Sequence, residues 1–159
     1  QGDKTDDGWL GASIYQQHHG DNGIYAPPPL DLVAEQKTGS FVRQQILGGG
    51  ISAAHDIADG GLAVAIAEMA MRSGFGADIA VPKTGNLHGW AFGEDQARFV
   101  VTTANGQTLI AAAKEAGIEI TKLGMVSDRS ELKFGDNDTI SVADLNAVFE
   151  GCIPALMAG

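Results

Sequence analysis

Apolar residues return along this chain at helical spacing over several stretches. Within Leu32–Leu47, Val33, Ala34, Phe41, Val42 and Ile46 recur at three-, four- and seven-residue steps, which predicts an amphipathic helix. Asp31 stands where its N-cap belongs, Glu35 adds an acidic residue to the first turn, and Gly48-Gly49-Gly50 ends it. Gly39, in the middle, weakens that helix by about 1 kcal/mol. Leu62–Arg72 is apolar almost all round, the mark of a largely buried helix, and Ser73-Gly74 stops it. Gly8–Gly20 carries Trp9, Leu10, Ile14 and Tyr15 at helix-like spacing. Thr108–Ala116 is Ala-rich and helical with Gly117 as its stop, and Asp144–Phe149 predicts a closing helical turn before a tail, Gly151–Gly159.

Between these lie short runs of strand character. Arg98–Thr103, with Phe99, Val100 and Val101, gives the strongest strand signal. Ile51–Ile57 is a weaker one, Ala77–Val81 is ended by Pro82, and Ile118–Val126 reads as another strand. Glu131–Phe134 and Thr139–Val142 predict a hairpin around Gly135-Asp136-Asn137-Asp138. Asp21–Pro29 is a loop, with a turn at Asn22-Gly23 and a stiff Pro27-Pro28-Pro29 lead-in. Helices alternate with strands, and the last strands fall close together. The fold class expected is α+β, an α/β two-layer sandwich: a mixed β-sheet with helices packed mainly on one face. At 159 residues, with no repeat or internal linker, residues 1–159 read as a single domain.

Composition narrows the function classes. Ten basic residues are scattered among 20 acidic ones, for a net charge of −10, so nucleic acid and anionic membrane are poor partners. No apolar run approaches the roughly 20 residues of a membrane span. Nothing in Gln1–Gly8 reads as a signal peptide, and the absence of an initiator Met points to an excised domain. One cysteine, Cys152, excludes an internal disulfide and suits a reducing, cytoplasmic setting; its apolar neighbours Ile153, Pro154 and Leu156 predict a buried, inert thiol. Glycine stands out, with 22 copies, about twice its usual share of ~7%. Such an excess points to tight turns and close backbone approaches.

Candidate chemistry concentrates in two segments. His55-Asp56-Ile57-Ala58-Asp59-Gly60-Gly61-Leu62 joins a strand end to the start of the buried helix. Its glycines can aim backbone N–H groups at phosphate, and its two carboxylates can hold Mg²⁺ through water. The competing reading makes Asp59 a helix N-cap and His55 a hydrogen-bonded wall residue. Phe92-Gly93-Glu94-Asp95-Gln96-Ala97-Arg98 sets three polar side chains at the entrance to the best strand, facing either a ligand or plain solvent. His18-His19 lacks partners at ligand spacing, Asp136–Asp138 is better read as a turn than a calcium loop, and no metal site is expected. No Walker lysine or nucleophile-elbow motif is present, so no catalytic residue is assigned.

The same segments resemble a known family. His55–Leu62, continued by Ala63-Val64-Ala65-Ile66-Ala67-Glu68-Met69-Ala70, is similar to the "HD(I/V)(S/A)(D/E)GGLAVALAEMA" stretch of phosphoribosylformylglycinamidine synthases. Leu10–Tyr15 resembles their "LGGSEY", Pro27–Val42 their "PPxVDLxxEKKxxxFVR", Phe92–Val101 their "FSESQSRFVVS", and Ile140–Met157 their "ISVxELxxAxExxLPxLM". The matches run in family order over nearly the whole chain. They resemble the last domain of the enzyme's second half, of the kind shared with aminoimidazole ribonucleotide synthetase.

That resemblance implies part of an ATP-dependent ligase of purine biosynthesis, in which ATP activates the formyl amide oxygen before ammonia attacks. The family's ATP, magnesium and catalytic histidine belong to N-terminal domains absent here, so the isolated domain is expected to be inactive and to hold no cofactor tightly. Implied partners are those domains, a glutaminase subunit and a small accessory subunit. Ligand-facing candidates in this chain are Asp56, Asp59, Gly60, Gly61, Glu94 and Gln96. Glu94-Asp95-Gln96 stands where the first half carries a substrate-contacting Glu-Ser-Gln, and Asp95 would repel phosphate where a serine donates to it. Two other readings stay open: the C-terminal domain of a related ATP-using synthetase (selenophosphate or aminoimidazole ribonucleotide), or a purely structural brace. Trp9, Leu10, Tyr15, Trp90 and Phe92, flanking glycine-rich loops, are expected to form an exposed apolar patch left by missing neighbours.

Overall fold

The structure is a computed structural model and describes residues 9–20, 27–136 and 138–158. The turn expected at Asn22-Gly23 lies outside these residues, as do Gln1–Gly8. The chain divides into two compact units, residues 1–65 with 83–122 and residues 66–82 with 123–159.

The first unit opens with a 3-10 turn, Leu10–Ala12, and a short helix α1, Ile14–His19. Ser13 separates them and is fully buried: its hydroxyl donates to the Leu10 carbonyl at 2.6 Å and accepts the Gln16 N–H at 3.2 Å. Helix α2 spans Leu32–Leu47 as the periodicity requires. Asp31 caps it, one carboxylate oxygen accepting the N–H groups of Val33 and Ala34 at 3.0 and 2.9 Å. Lys37 donates to the Gly117 carbonyl at 2.7 Å, tying α2 to the end of helix α5, Gly106–Glu115. Strands β1 (Ala53–Asp56) and β3 (Phe99–Thr102) form a two-stranded antiparallel ladder, with Asp56 opposite Phe99 and Ala53 opposite Thr102. Val42, Ile51 and Leu109 are the buried centre of this unit, with Phe41, Phe99, Val101 and Ile120 packed around them. Helix α3, Gly61–Ser73, leaves β1 through Gly60; the division between units falls within it, after Ala65.

In the second unit four strands make a mixed sheet in the order β4-β2-β5-β6. Strand β2 (Gly76–Ile79) pairs antiparallel with β4 (Gly124–Ser127) and parallel with β5 (Glu131–Phe134), which pairs antiparallel with β6 (Asp138–Ser141). Ala77, Val126, Leu132 and Ile140 stand in register and share one face, where Ile79 and Leu132 are buried. Asp78, on the opposite face, binds Arg129 through both carboxylate oxygens at 2.5 Å. Gly76 and Gly124 have no room for a side chain, because a Cβ there would strike the neighbouring strand's backbone. The α+β class and the mixed sheet are as expected, with the strands shared between a ladder and a four-stranded sheet.

Five local expectations are corrected. A short helix α4, Leu87–Phe92, was not foreseen; Asn86 caps it by accepting the N–H groups of His88 and Gly89. The strand expected over Ile118–Val126 forms only at Gly124–Ser127, because Ile120 packs in the first unit's core while Gly124 begins the pairing with Ile79 in the second. The expected tail is helical: α6 runs Val142–Ala158, and Pro154 costs it one backbone hydrogen bond without ending it. Cys152 is therefore exposed on that helix, not buried. The aromatic patch is also misplaced. Trp9, Leu10, Tyr15, Trp90 and Phe92 are half-buried, and the exposed large apolar residues include Val148, Phe149, Ile153, Leu156 and Met157 of α6.

Gly39 gives a direct stability test. A Cβ added there meets nothing within 4 Å and the helix is regular around it. Gly39→Ala is therefore expected to stabilise the chain by about 0.5–1 kcal/mol, read as a raised urea midpoint at unchanged slope.

Candidate functional site

The β1–β3 ladder decides which loops meet. Because Asp56 pairs with Phe99, the segment leaving β1 and the segment entering β3 emerge at the same end, and the Ile57 N–H donates to the Arg98 carbonyl at 2.9 Å. Asp56, Asp59, Glu94 and Gln96 consequently line one open cleft of about 370 Å³, together with Glu35 of α2 and Arg98. Glu35 and Arg98 were not singled out as site residues. Arg98 closes the segment Phe92–Arg98 at the entrance to β3, whereas Glu35 arrives only through the placement of α2.

The cleft is acidic. Four carboxylates (Glu35, Asp56, Asp59, Glu94) face one guanidinium, and Arg98 is already paired with Asp95. Ala97, between Gln96 and Arg98, has φ 62°, a left-handed conformation that costs a residue with a Cβ about 1–2 kcal/mol. That bend turns the exposed Gln96 outward while Arg98 folds back toward Asp95 and the Gly93 carbonyl.

Each residue of the DGG turn has a definite place. Asp59 lies two positions before the first helical residue, so it does not occupy the capping position of α3. It is exposed, and among the described residues nothing engages its carboxylate. Asp56 is exposed at the end of β1, and His55 Nδ1 donates to the Asp56 carbonyl at 2.6 Å. Gly60 and Gly61 both have positive φ, 82° and 72°. At Gly61 a Cβ would lie 2.6 Å from the carbonyl carbon of Phe92, so the close backbone approach made possible by this glycine is to α4. The Gly60 N–H, a phosphate donor by its sequence position, donates to Glu94 Oε1 at 2.7 Å. The same oxygen accepts the Ile14 N–H at 2.9 Å.

Among the described residues no group of three or more His, Cys, Asp or Glu side chains converges to hold a metal. His18 and His19 fall in the last turn of α1, and His19 lies 4.8 Å from the Tyr15 ring. Tyr15 stacks on Phe92 at 4.8 Å, and its hydroxyl is 2.6 Å from His88 Nδ1. No helix among the described residues is long and apolar enough to cross a membrane.

An α+β domain with a short ladder, a mixed sheet and an acidic cleft beside a double-glycine turn is the class of protein these features define. Residues 3–137 match the family described as AIR synthase related protein, C-terminal domain. The chain belongs to that family. It is 45% identical over 154 residues to the phosphoribosylformylglycinamidine synthase subunit PurL of Methylocella silvestris, a match covering 96% of this chain and 21% of that protein. The subunit PurL of Parvibaculum lavamentivorans is 45% identical over 155 residues, covering 95% and 21%. The chain thus spans about a fifth of the length of the curated relatives it matches. Thermotoga maritima PurL complexed with FGAR shares the fold at a TM-score of 0.68 and 17% identity, over 79% of this chain and 23% of that one. The same protein complexed with ATP gives 0.64 and 19%, over 73% and 22%.

Proposed function

We propose that this chain is the C-terminal, AIR-synthase-related domain of a phosphoribosylformylglycinamidine synthase. The whole enzyme is a cytoplasmic ligase of purine biosynthesis, converting formylglycinamide ribonucleotide, glutamine-derived ammonia and ATP to the amidine, ADP and phosphate. Its partners are the preceding domains of the same polypeptide, a glutaminase subunit and a small accessory subunit. The observation that carries this reading is 45% identity over 96% of the chain to a PurL subunit. Residues 1–159 act in it as one domain.

The cleft does not fit a triphosphate by itself. Its carboxylates repel phosphate, its one guanidinium is paired, and the Gly60 N–H is already taken by Glu94. We therefore assign ATP and magnesium to parts of the enzyme beyond this chain. Asp56, Asp59 and Gln96 are the ligand-facing residues of this domain, suited to hydroxyl, amide or amine groups that donate to them. Gly60, Gly61 and Glu94 shape the turn that presents them.

A chimera tests both levels. With residues 1–159 replacing the matching fifth of the Methylocella silvestris subunit, amidine formation is expected to persist; a folded chimera with no activity overturns the functional reading. In the active chimera, Asp59→Asn is expected to lower kcat/KM about tenfold or more. Thermal stability should hold within about 0.5 kcal/mol, since an exposed, unengaged side chain carries little stability. Unchanged kinetics in both Asp59→Asn and Asp56→Asn would remove the ligand-facing assignment while leaving the enzyme assignment intact.

A further inference from the structure

We infer that Glu94 is a positioning residue: its carboxylate couples the start of α1 to the turn between β1 and α3 by accepting both backbone donors on one oxygen. The inference deepens the proposed function, because the turn it holds is the one that presents Asp56 and Asp59, and it rests on that reading only for its consequence in catalysis. The two donors are far apart in sequence, Gly60 at 34 residues and Ile14 at 80 residues from Glu94. One half-buried side chain thus joins three segments, two of which also flank the β1–β3 ladder.

Further contacts involving α4 bring the same segments together. Gly61 is seated against the backbone of Phe92, two residues before Glu94. Tyr15, one residue after Ile14, stacks on the Phe92 ring and bonds His88 on the same short helix. Gly93 ends that helix with its N–H on the Gly89 carbonyl, fixing where Glu94 begins. The end of α4 therefore serves as an anchor, and Glu94 is the polar link from it to both α1 and the turn. A carboxylate suits this work because two N–H donors can converge on one of its oxygens at this reach.

What matters for this role is an acceptor oxygen at the right reach. Glu94→Gln keeps a carbonyl oxygen at the same length and removes the charge. Glu94→Asp keeps the charge and falls short by one methylene. Glu94→Ala removes both. Amide hydrogen exchange of the full 159-residue chain, followed residue by residue, separates these cases. The Ile14 and Gly60 amides are expected to lose protection together, about ten- to hundredfold, in Glu94→Asp and Glu94→Ala, while Glu94→Gln stays within about threefold of wild type. Core amides such as Val100 and Leu109 should change little in Asp and Gln, which keeps the result readable if the Ala variant unfolds.

Loss in Glu94→Gln with protection retained in Glu94→Asp would mean that charge, not reach, is what Glu94 supplies, and would overturn the inference. So would unchanged protection in Asp, or loss at only one of the two amides. None of these readouts involves nucleotide or substrate. A failure of the enzyme assignment in the chimera leaves them untouched, and their failure leaves that assignment standing.

Discussion

Gly61→Ala is expected to cost this chain about 2–5 kcal/mol of stability, from the addition of one methyl group. Two effects add. With φ at 72°, any residue carrying a Cβ pays about 1–2 kcal/mol for the left-handed conformation. The new Cβ would also lie 2.6 and 2.7 Å from the carbonyl and α carbons of Phe92, which are backbone and have no rotamer to retreat to. Overpacking of that kind adds about 1–3 kcal/mol. For a domain of this size the melting temperature should fall by about 5–15 °C. Gly60→Ala is the instructive comparison. Its Cβ would meet Val64 Cγ2 at 2.5 Å and Val64 Cβ at 2.9 Å, and a β-branched residue within a helix has little freedom to turn away, so with a similar φ of 82° its loss should be comparable. A Gly61→Ala protein that melts within about 2 °C of wild type would show that α4 is not seated on this turn.

The second large effect concerns catalysis. The 159-residue chain alone is expected to form no amidine from ATP, ammonia and formylglycinamide ribonucleotide above the uncatalysed background. Rate enhancement needs reacting groups held together in near-attack geometry, and that arrangement is where about 7–11 kcal/mol of a barrier can be removed. The cleft here brings four carboxylates and one paired guanidinium to one place, with no converging metal ligands among the described residues. It offers no nucleophile–base pair and no second substrate platform. Steady-state assay of the purified chain, with the chimera as positive control, decides the matter; turnover by the chain alone would place the catalytic groups inside these 159 residues.

Much of this fold is written in local pattern. Asp31 as a cap, the apolar steps to Ile46 and the closing glycines define α2 to the residue, and Glu131–Phe134 forms β5 at its expected limits. What escaped depends on contacts distant in sequence. Helix α4 is only six residues long and carries Gly89, so its apolar positions carry no clear period, and only Asn86 marked its start. Ile118 to Val126 looks like one strand, yet Ile120 and Gly124 are drawn to different units. The site divides in the same way. That Asp56, Asp59, Glu94 and Gln96 would share a cleft follows once β1 and β3 pair antiparallel, since both segments then leave one end of the ladder. That Glu94 would spend an oxygen on Ile14 and Gly60 has no signature in spacing, because hydrogen bonds across 80 and 34 residues are set by the folded arrangement.

The closing helix α6 bears on how this chain behaves at high concentration. Val148, Phe149, Ile153, Leu156 and Met157 are each at least 60% exposed, and in helical projection they fall on one side with Cys152. Around neutral pH a net charge of −10 keeps molecules apart before these side chains can touch. Acidification toward the isoelectric point near 4.6 strips away that repulsion and leaves the oily helix untouched. Colloidal stability should therefore collapse in mildly acidic buffer well before the fold does, and alkaline, reducing, low-salt storage is the condition that keeps the chain dispersed.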